Sequence, residues 1–290
     1  MNPQPPAPTC VRHPNRPTGL ACTRCGRPSC AECLRPAAVG QHCVDCLRAE
    51  QRDVAPVRTV SGAAAPRTSA PYVTYALIAI NVVIYAITAA QAKSLMDNQL
   101  GSALFFDWVL YAPAVADGEW WRVLGSGFLH YGPIHLLLNM FALYVVGRDA
   151  ELVLGRLRYL AVYLVSLLGG SAGVMLLTQN SLTAGASGAV YGLFGAITII
   201  LLRLRQNPNQ MLIIIGINVF ISLSLPGISL WGHLGGLAAG TLATLGILFL
   251  PAWLRVRTPQ AARTVGWVAV ALVAIAALGL VVVGAVTSTA

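Results

Sequence analysis

From Pro71 onward one pattern repeats along the chain. Long apolar runs are separated by short breaks carrying glycine, proline or charge. The runs lie near 72–90, 133–147, 159–177, 185–202, 211–225, 229–250 and 265–284. They approach the length of about 20 residues that a helix needs to cross a bilayer, so the pattern predicts an all-α polytopic membrane protein with seven spans. Upstream the pattern changes. Residues 1–46 carry cysteines in regular pairs, and residues 47–70 (LRAEQRDVAPVRTVSGAAAPRTSA) mix charge, proline, alanine and serine, the composition of a flexible linker. The first loop between spans, 91–132, is long and rich in aromatics, including Phe105, Phe106, Trp108, Trp120 and Trp121. Tryptophan and tyrosine favour the headgroup region, which predicts a loop lying in or against the outer leaflet.

Composition supports the membrane reading: 56% of the 290 residues are hydrophobic and 10% charged, against roughly 25% charged in soluble domains. The net charge of +9 could suggest nucleic acid, but its distribution argues otherwise. Nine of the Lys and Arg precede the first span. Others follow spans two, four and six, and only Lys93 and Arg122 fall in loops of the other parity. Basic residues concentrate on the cytoplasmic side. The expectation is therefore a multi-pass cell-membrane protein with a cytoplasmic N-terminus, an extracytoplasmic C-terminus and no nucleic-acid partner. The start MNPQPPAPT lacks the basic and apolar regions of a cleaved signal peptide. The cysteines are then expected in a reducing compartment, where disulfides are rare.

All seven cysteines lie between 10 and 46. With His13 they form four pairs at one spacing: Cys10 and His13, Cys22 and Cys25, Cys30 and Cys33, Cys43 and Cys46. A two-residue gap lets both members of a pair reach one tetrahedral ion, so four pairs supply two closed four-ligand sites and predict two structural zinc ions. A segment this short cannot fold on apolar burial alone, and metal would supply its folding energy. The spacing resembles a B-box or RING-like cross-brace, in which the first and third pairs share one ion and the second and fourth the other. Sequential pairing is the alternative, and His42 could replace Cys43. No ligand position is left open for water, so no cofactor is expected to take part in catalysis. A cytoplasmic protein could be the partner of this module.

Polar groups inside spans are costly and mark functional sites. Span two carries His135 and Asn139 one helical turn apart, hence on one face. Span four carries Ser187 within GASG (185–188), close to its start, and span six carries His233 about five residues in. At about 1.5 Å rise per residue the predicted topology puts all four at one depth, in the outer third of the bilayer. Gly188, Gly192 and Gly195 line one face of span four, and Gly232, Gly236 and Gly240 one face of span six. Such stripes permit close backbone approach and would bring Ser187 beside His233, a nucleophile with its base. No Asp or Glu follows Glu151, so the expectation is a dyad without a carboxylate. His135 and Asn139 can donate hydrogen bonds and suit the oxyanion of a tetrahedral intermediate.

In this order these residues resemble the rhomboid family of intramembrane serine proteases. The family pattern has an aromatic–Arg pair in the first loop, here Trp121 and Arg122, then His-x4-His-x3-Asn (His130, His135, Asn139). Gly-x-Ser-Gly (185–188) and a span-six histidine followed by spaced glycines (His233, Gly236, Gly240) complete it. The resemblance covers roughly residues 72–250. It implies a six-helix protease core at 71–252, with 253–290 adding a seventh span. It also implies Ser187 as nucleophile, His233 as base with Tyr191 stacked beneath it, and an oxyanion site built from His135, Asn139 and the Ser187 N–H. His130, Gly185, Trp121 and Arg122 would be supporting residues. Gly232 stands where the family often has Ala. The implied function is serine endopeptidase cleavage of single-span membrane proteins in or near the bilayer. A catalytically silent rhomboid-like scaffold that binds membrane clients is the alternative.

Overall fold

The computed structural model describes residues 7–53 and 70–288, which belong to two compact units, one on each side of the intervening segment. Most of the expected linker, 54–69, lies outside the described residues.

The first unit is small and has little regular structure. Strand β1 (Thr9–Cys10) pairs antiparallel with β2 (His13–Pro17), and β3 (Leu34–Pro36) with β4 (Gln41–Cys43). Each hairpin sets part of a cysteine pair: Cys10 faces His13 in the first, and Leu34 faces Cys43 in the second. Helix α1 (Val44–Asp53) follows β4 directly and runs seven residues into the segment read as linker. The buried residues here are chiefly the cysteines themselves, with Leu34 beside them, as expected for a unit too small to fold on apolar burial alone.

The second unit is helical. Helix α2 (Tyr72–Ala92) leads into the long loop, which folds as three short helices, α3 (Ala103–Trp108), α4 (Ala112–Ala116) and α5 (Arg122–Gly125). Helix α6 (Gly132–Ala142) continues through a π-helical turn at Leu143–Gly147 into α7 (Arg148–Leu154). Then come α8 (Arg156–Leu177), α9 (Ser187–Arg203), α10 (Asn209–Ser224), α11 (Leu230–Leu248), the short α12 (Leu250–Trp253) and α13 (Pro259–Ser288). Helices thus occupy all seven predicted intervals. Among the described residues, three (α2, α8 and α13) are long and apolar enough to cross a membrane alone. A fourth span counts if the segments Arg122–Phe128 and Gly132–Leu154, bent by 92°, are taken as one. The others differ for physical reasons. Helices α9 and α10 have 17 and 16 residues, about 25 Å at 1.5 Å per residue, and glycines with His233 dilute the apolarity of α11.

Local chemistry sets the helix ends. Ser229 caps α11 by accepting from the Gly232 N–H, and Pro133 opens α6, where a missing N–H costs nothing. The N-terminus of α2 is capped from elsewhere in the chain. The Glu151 carboxylate accepts from the N–H groups of Val73 (3.1 Å) and Thr74 (2.8 Å) and from the Thr74 hydroxyl (2.9 Å). An anion there satisfies orphan donors and complements the helix dipole. Glu151, the last acid in the sequence, is therefore a helix cap.

Helix α9 is the centre of the bundle, with buried residues on every face, packed by α8 and α11. Apolar burial does not drive helices together in lipid, where close packing takes over, and small residues do that work here. A Cβ on Gly240 would lie 2.5 Å from the Gly192 Cα, and one on Gly170 2.8 Å from the Gly232 carbonyl oxygen. The α8 glycines Gly169, Gly170 and Gly173 make this a three-helix contact, which the sequence reading, with its two stripes, did not include. The long loop does not hang free. Leu110, Ala112, Val115 and Val123 pack on Ala172, Val174 and Met175 of α8 and on Val281 and Ala285 of α13, while Phe106, Trp120 and Trp121 stay exposed.

Candidate active site and metal centres

Ser187 is the first residue of α9, and the turn before it depends on Gly185. That residue has φ +136°, a left-handed conformation that favours glycine. A Cβ there would also sit 2.9 Å from His135 Nε2 and 3.6 Å from Ser187 Oγ, so a side chain at 185 would fill the space between the two.

Close approach of α11 to α9 brings His233 within reach of the serine: His233 Nε2 and Ser187 Oγ are 2.8 Å apart. The Tyr191 ring, one turn along α9, stacks on the imidazole with centroids 4.0 Å apart and planes 13° from parallel. The other imidazole nitrogen, Nδ1, lies 2.8 Å from Ser222 Oγ on α10. No carboxylate hydrogen-bonds to His233 among the described residues. The sequence reading did not single out Ser222. The only available signal was a hydroxyl in a mostly apolar span that also holds Asn218 and Ser224, and many packing serines share it.

His135 and Asn139 share one face of α6, as expected from their spacing. His135 Nδ1 accepts the Tyr131 backbone N–H at 3.3 Å. A neutral imidazole accepting at Nδ1 carries its proton on Nε2, the nitrogen nearest Gly185, and so offers a donor there. Asn139 is buried, and its Nδ2 donates to the His135 carbonyl at 3.0 Å, leaving a second amide N–H. His130 is fully buried with its ring edge-on to His135, centroids 5.1 Å apart. Asn98 donates to the His130 carbonyl and accepts the Gly132 N–H, both at 2.9 Å, which fixes the entry into α6.

Trp121 and Arg122 act within the loop. Trp121 Nε1 donates to the Asp107 carbonyl at 2.8 Å. The Arg122 guanidinium pairs with Glu119 and donates to the carbonyls of Phe106 and Val109. The two residues tie α5 back onto α3.

In the first unit the predicted ligands gather as two sets of four: Cys10, His13, Cys30 and Cys33, and Cys22, Cys25, Cys43 and Cys46, each with its donor atoms within 4.8 Å of one another. Of the two pairings left open by the sequence, this is the cross-braced one. The Cys22–Cys46 and Cys25–Cys43 sulfurs are 3.9 and 3.8 Å apart. Tetrahedral bonds of about 2.3 Å to one ion would separate sulfurs by about 3.8 Å, so the donor sets fit a metal. His13 presents Nδ1, 3.4 Å from both Cys30 and Cys33 sulfurs. His42 pairs instead with Glu50 at 3.6 Å, and Cys43 completes its cluster. A backbone hydrogen bond from Cys30 helps to hold the Cys10 thiol down at about 6, whereas burial pushes the Cys33 thiol of the same cluster up to about 11.

The Rhomboid domain model matches residues 117–251, the stretch that holds Ser187, His233, His135, Asn139, His130, Tyr191 and Ser222. The first unit lies outside it. Among characterised proteins the chain is similar to the RHOMBOID-like protein 4 of Arabidopsis thaliana, with 32% identity over 157 residues, 51% of this chain and 40% of that one. It is also similar to the Rhomboid protease GluP of Bacillus subtilis, with 37% identity over 134 residues, 44% of this chain and 26% of that one. In both cases the match spans well under half of the relative's length. The Putative rhomboid protease YdcA of Bacillus subtilis is matched far more completely, with 32% identity over 179 residues, 59% of this chain and 86% of that one. With nearly the whole of one relative spanned and every helix of the site inside the matched region, the chain belongs to the rhomboid family.

Proposed function

We propose that the chain is an intramembrane serine endopeptidase. The observation that carries the reading is the 2.8 Å contact between His233 Nε2 and Ser187 Oγ, and the protease-named relatives support it. Ser187 Oγ attacks the scissile carbonyl carbon while His233 Nε2 takes its proton, and the same proton later goes to the departing amine. The negative oxygen of the tetrahedral intermediate takes hydrogen bonds from the Ser187 N–H, His135 Nε2–H and the Asn139 amide, donors that stabilise charge only as it develops. Tyr191 keeps the imidazole plane from turning. Substrates are single-span membrane proteins cut at or near the bilayer boundary, and the basic loops set the N-terminus in the cytoplasm of a cell-membrane protein.

The S₃N and S₄ donor sets suit two structural zinc ions, closed to water and remote in chemistry from peptide hydrolysis. The deciding experiment is cleavage of a generic transmembrane substrate by the purified protein in detergent, with Ser187→Ala as control. Cleavage lost in the variant supports the reading. No cleavage by the wild type, with client binding retained, would instead favour a silent scaffold.

A further inference from the structure

The dyad lacks a carboxylate, yet His233 Nδ1 is not left without a partner. We propose that Ser222 is the positioning residue of the histidine base, occupying with a neutral hydroxyl the place that an acid holds in a three-residue triad. The inference rests on the dyad reading of Ser187 and His233.

Hydrogen-bond directions are consistent around the hydroxyl. Ser222 Oγ donates to the Asn218 carbonyl at 2.8 Å, so its lone pairs are free to accept. One faces His233 Nδ1 at 2.8 Å and the other the Tyr191 hydroxyl at 3.2 Å. Accepting from Nδ1–H fixes the tautomer that leaves the Nε2 lone pair pointing at Ser187. The same oxygen stays in place to share the charge of the imidazolium formed when the Ser187 proton moves. Ser222 and Tyr191 thus hold the ring by one edge and one face.

Back-bonding to a carbonyl four residues earlier does not by itself single out a residue. Ser166, Thr198, Thr241 and Thr244 all do it, and it satisfies a hydroxyl inside a helix. Ser222 differs in its two further side-chain partners, both at the site. It is also the one fully buried residue on α10, a helix whose Leu212, Ile213, Ile217, Phe220 and Leu223 are exposed. Met211, Ile214, Ile215 and Val219 pack α10 against the core, and Ser222 adds a buried polar contact towards its C-terminal end.

The test compares Ser222→Thr with Ser222→Val in full-length protein purified in detergent, since the two side chains share a shape and differ in the hydroxyl. A fluorophosphonate probe comes first: labelling of wild type that is lost in Ser187→Ala establishes the nucleophile independently of Ser222. Ser222→Val is then expected to lower kcat by about 10–100-fold, the scale of a lost charge-assisted hydrogen bond, with KM within about twofold. Ser222→Thr is expected to keep most of the activity. If Ser222→Val does not fold, Ser222→Ala removes the hydroxyl without adding bulk and carries the same expectation. Equal activity of the Thr and Val variants, or a rise in KM at unchanged kcat, would overturn the proposal while leaving the dyad standing. A wild type that is not labelled would overturn both.

Discussion

Gly236 on α11 stands directly over Gly188 on α9: a Cβ added to Gly236 would lie 2.9 Å from the Gly188 Cα and closer still to its carbonyl oxygen. Gly188 follows Ser187, and Gly236 lies three residues beyond His233. The backbone contact thus sets how closely the serine and the histidine approach.

Gly236→Ala should therefore damage both stability and activity. The clash is with backbone, so one helix must shift, at a cost of about 1–3 kcal/mol. Gly216→Ala and Gly279→Ala, where an added Cβ would meet nothing within 4 Å, should be nearly neutral. Unfolding of the three variants in detergent, followed beside cleavage rate, checks this. Equal stability would mean that the α9–α11 contact yields at little cost.

Ser187→Ala and His233→Ala should each abolish proteolysis and leave the fold intact, since each removes one half of the 2.8 Å pair. A serine-directed covalent inhibitor should label Ser187. It should spare Ser166 and Ser171, whose hydroxyls are buried and donate to the carbonyls of Val162 and Val123. Wild-type cleavage by either purified variant would remove the dyad from the mechanism.

Asn139→Ala should lower kcat on the order of tenfold to a hundredfold, towards the low end if His135 and the Ser187 N–H share the load. KM should change little, because the hydrogen bond strengthens only as charge develops. Steady-state kinetics decide the matter. A large rise in KM with kcat unchanged would make Asn139 a substrate-positioning or helix-packing residue.

Reduced protein should contain two zinc ions per chain, measured by elemental analysis, and stripping them with a strong chelator should unfold the first unit. Cys30→Ser should reduce the content towards one ion, because Cys30 serves only the cluster with Cys10, His13 and Cys33. Deleting residues 1–60 should leave cleavage in detergent unchanged. Loss of activity on deletion would make the metal unit integral to the protease fold.

The sequence by itself determined what depends on spacing along one chain. Apolar run length located all seven main helices, and helical periodicity put His135 and Asn139 on one face. The two-residue gaps marked four ligand pairs, and the absence of acids after Glu151 ruled out a carboxylate triad member from later in the chain. Tertiary structure decided what depends on meeting across the chain. Ligand pairing needed contacts between distant stretches, such as the hydrogen bonds from the Val11 N–H to the Pro28 carbonyl and from the Thr18 hydroxyl to the Ser29 carbonyl, because every pair has the same local spacing. The third glycine face, on α8, emerged only when three backbones were seen in contact. Ser222 was invisible for the same reason: a serine in a mostly apolar helix satisfies itself on its own backbone, and only the arrival of His233 and Tyr191 from other helices gives its oxygen further partners.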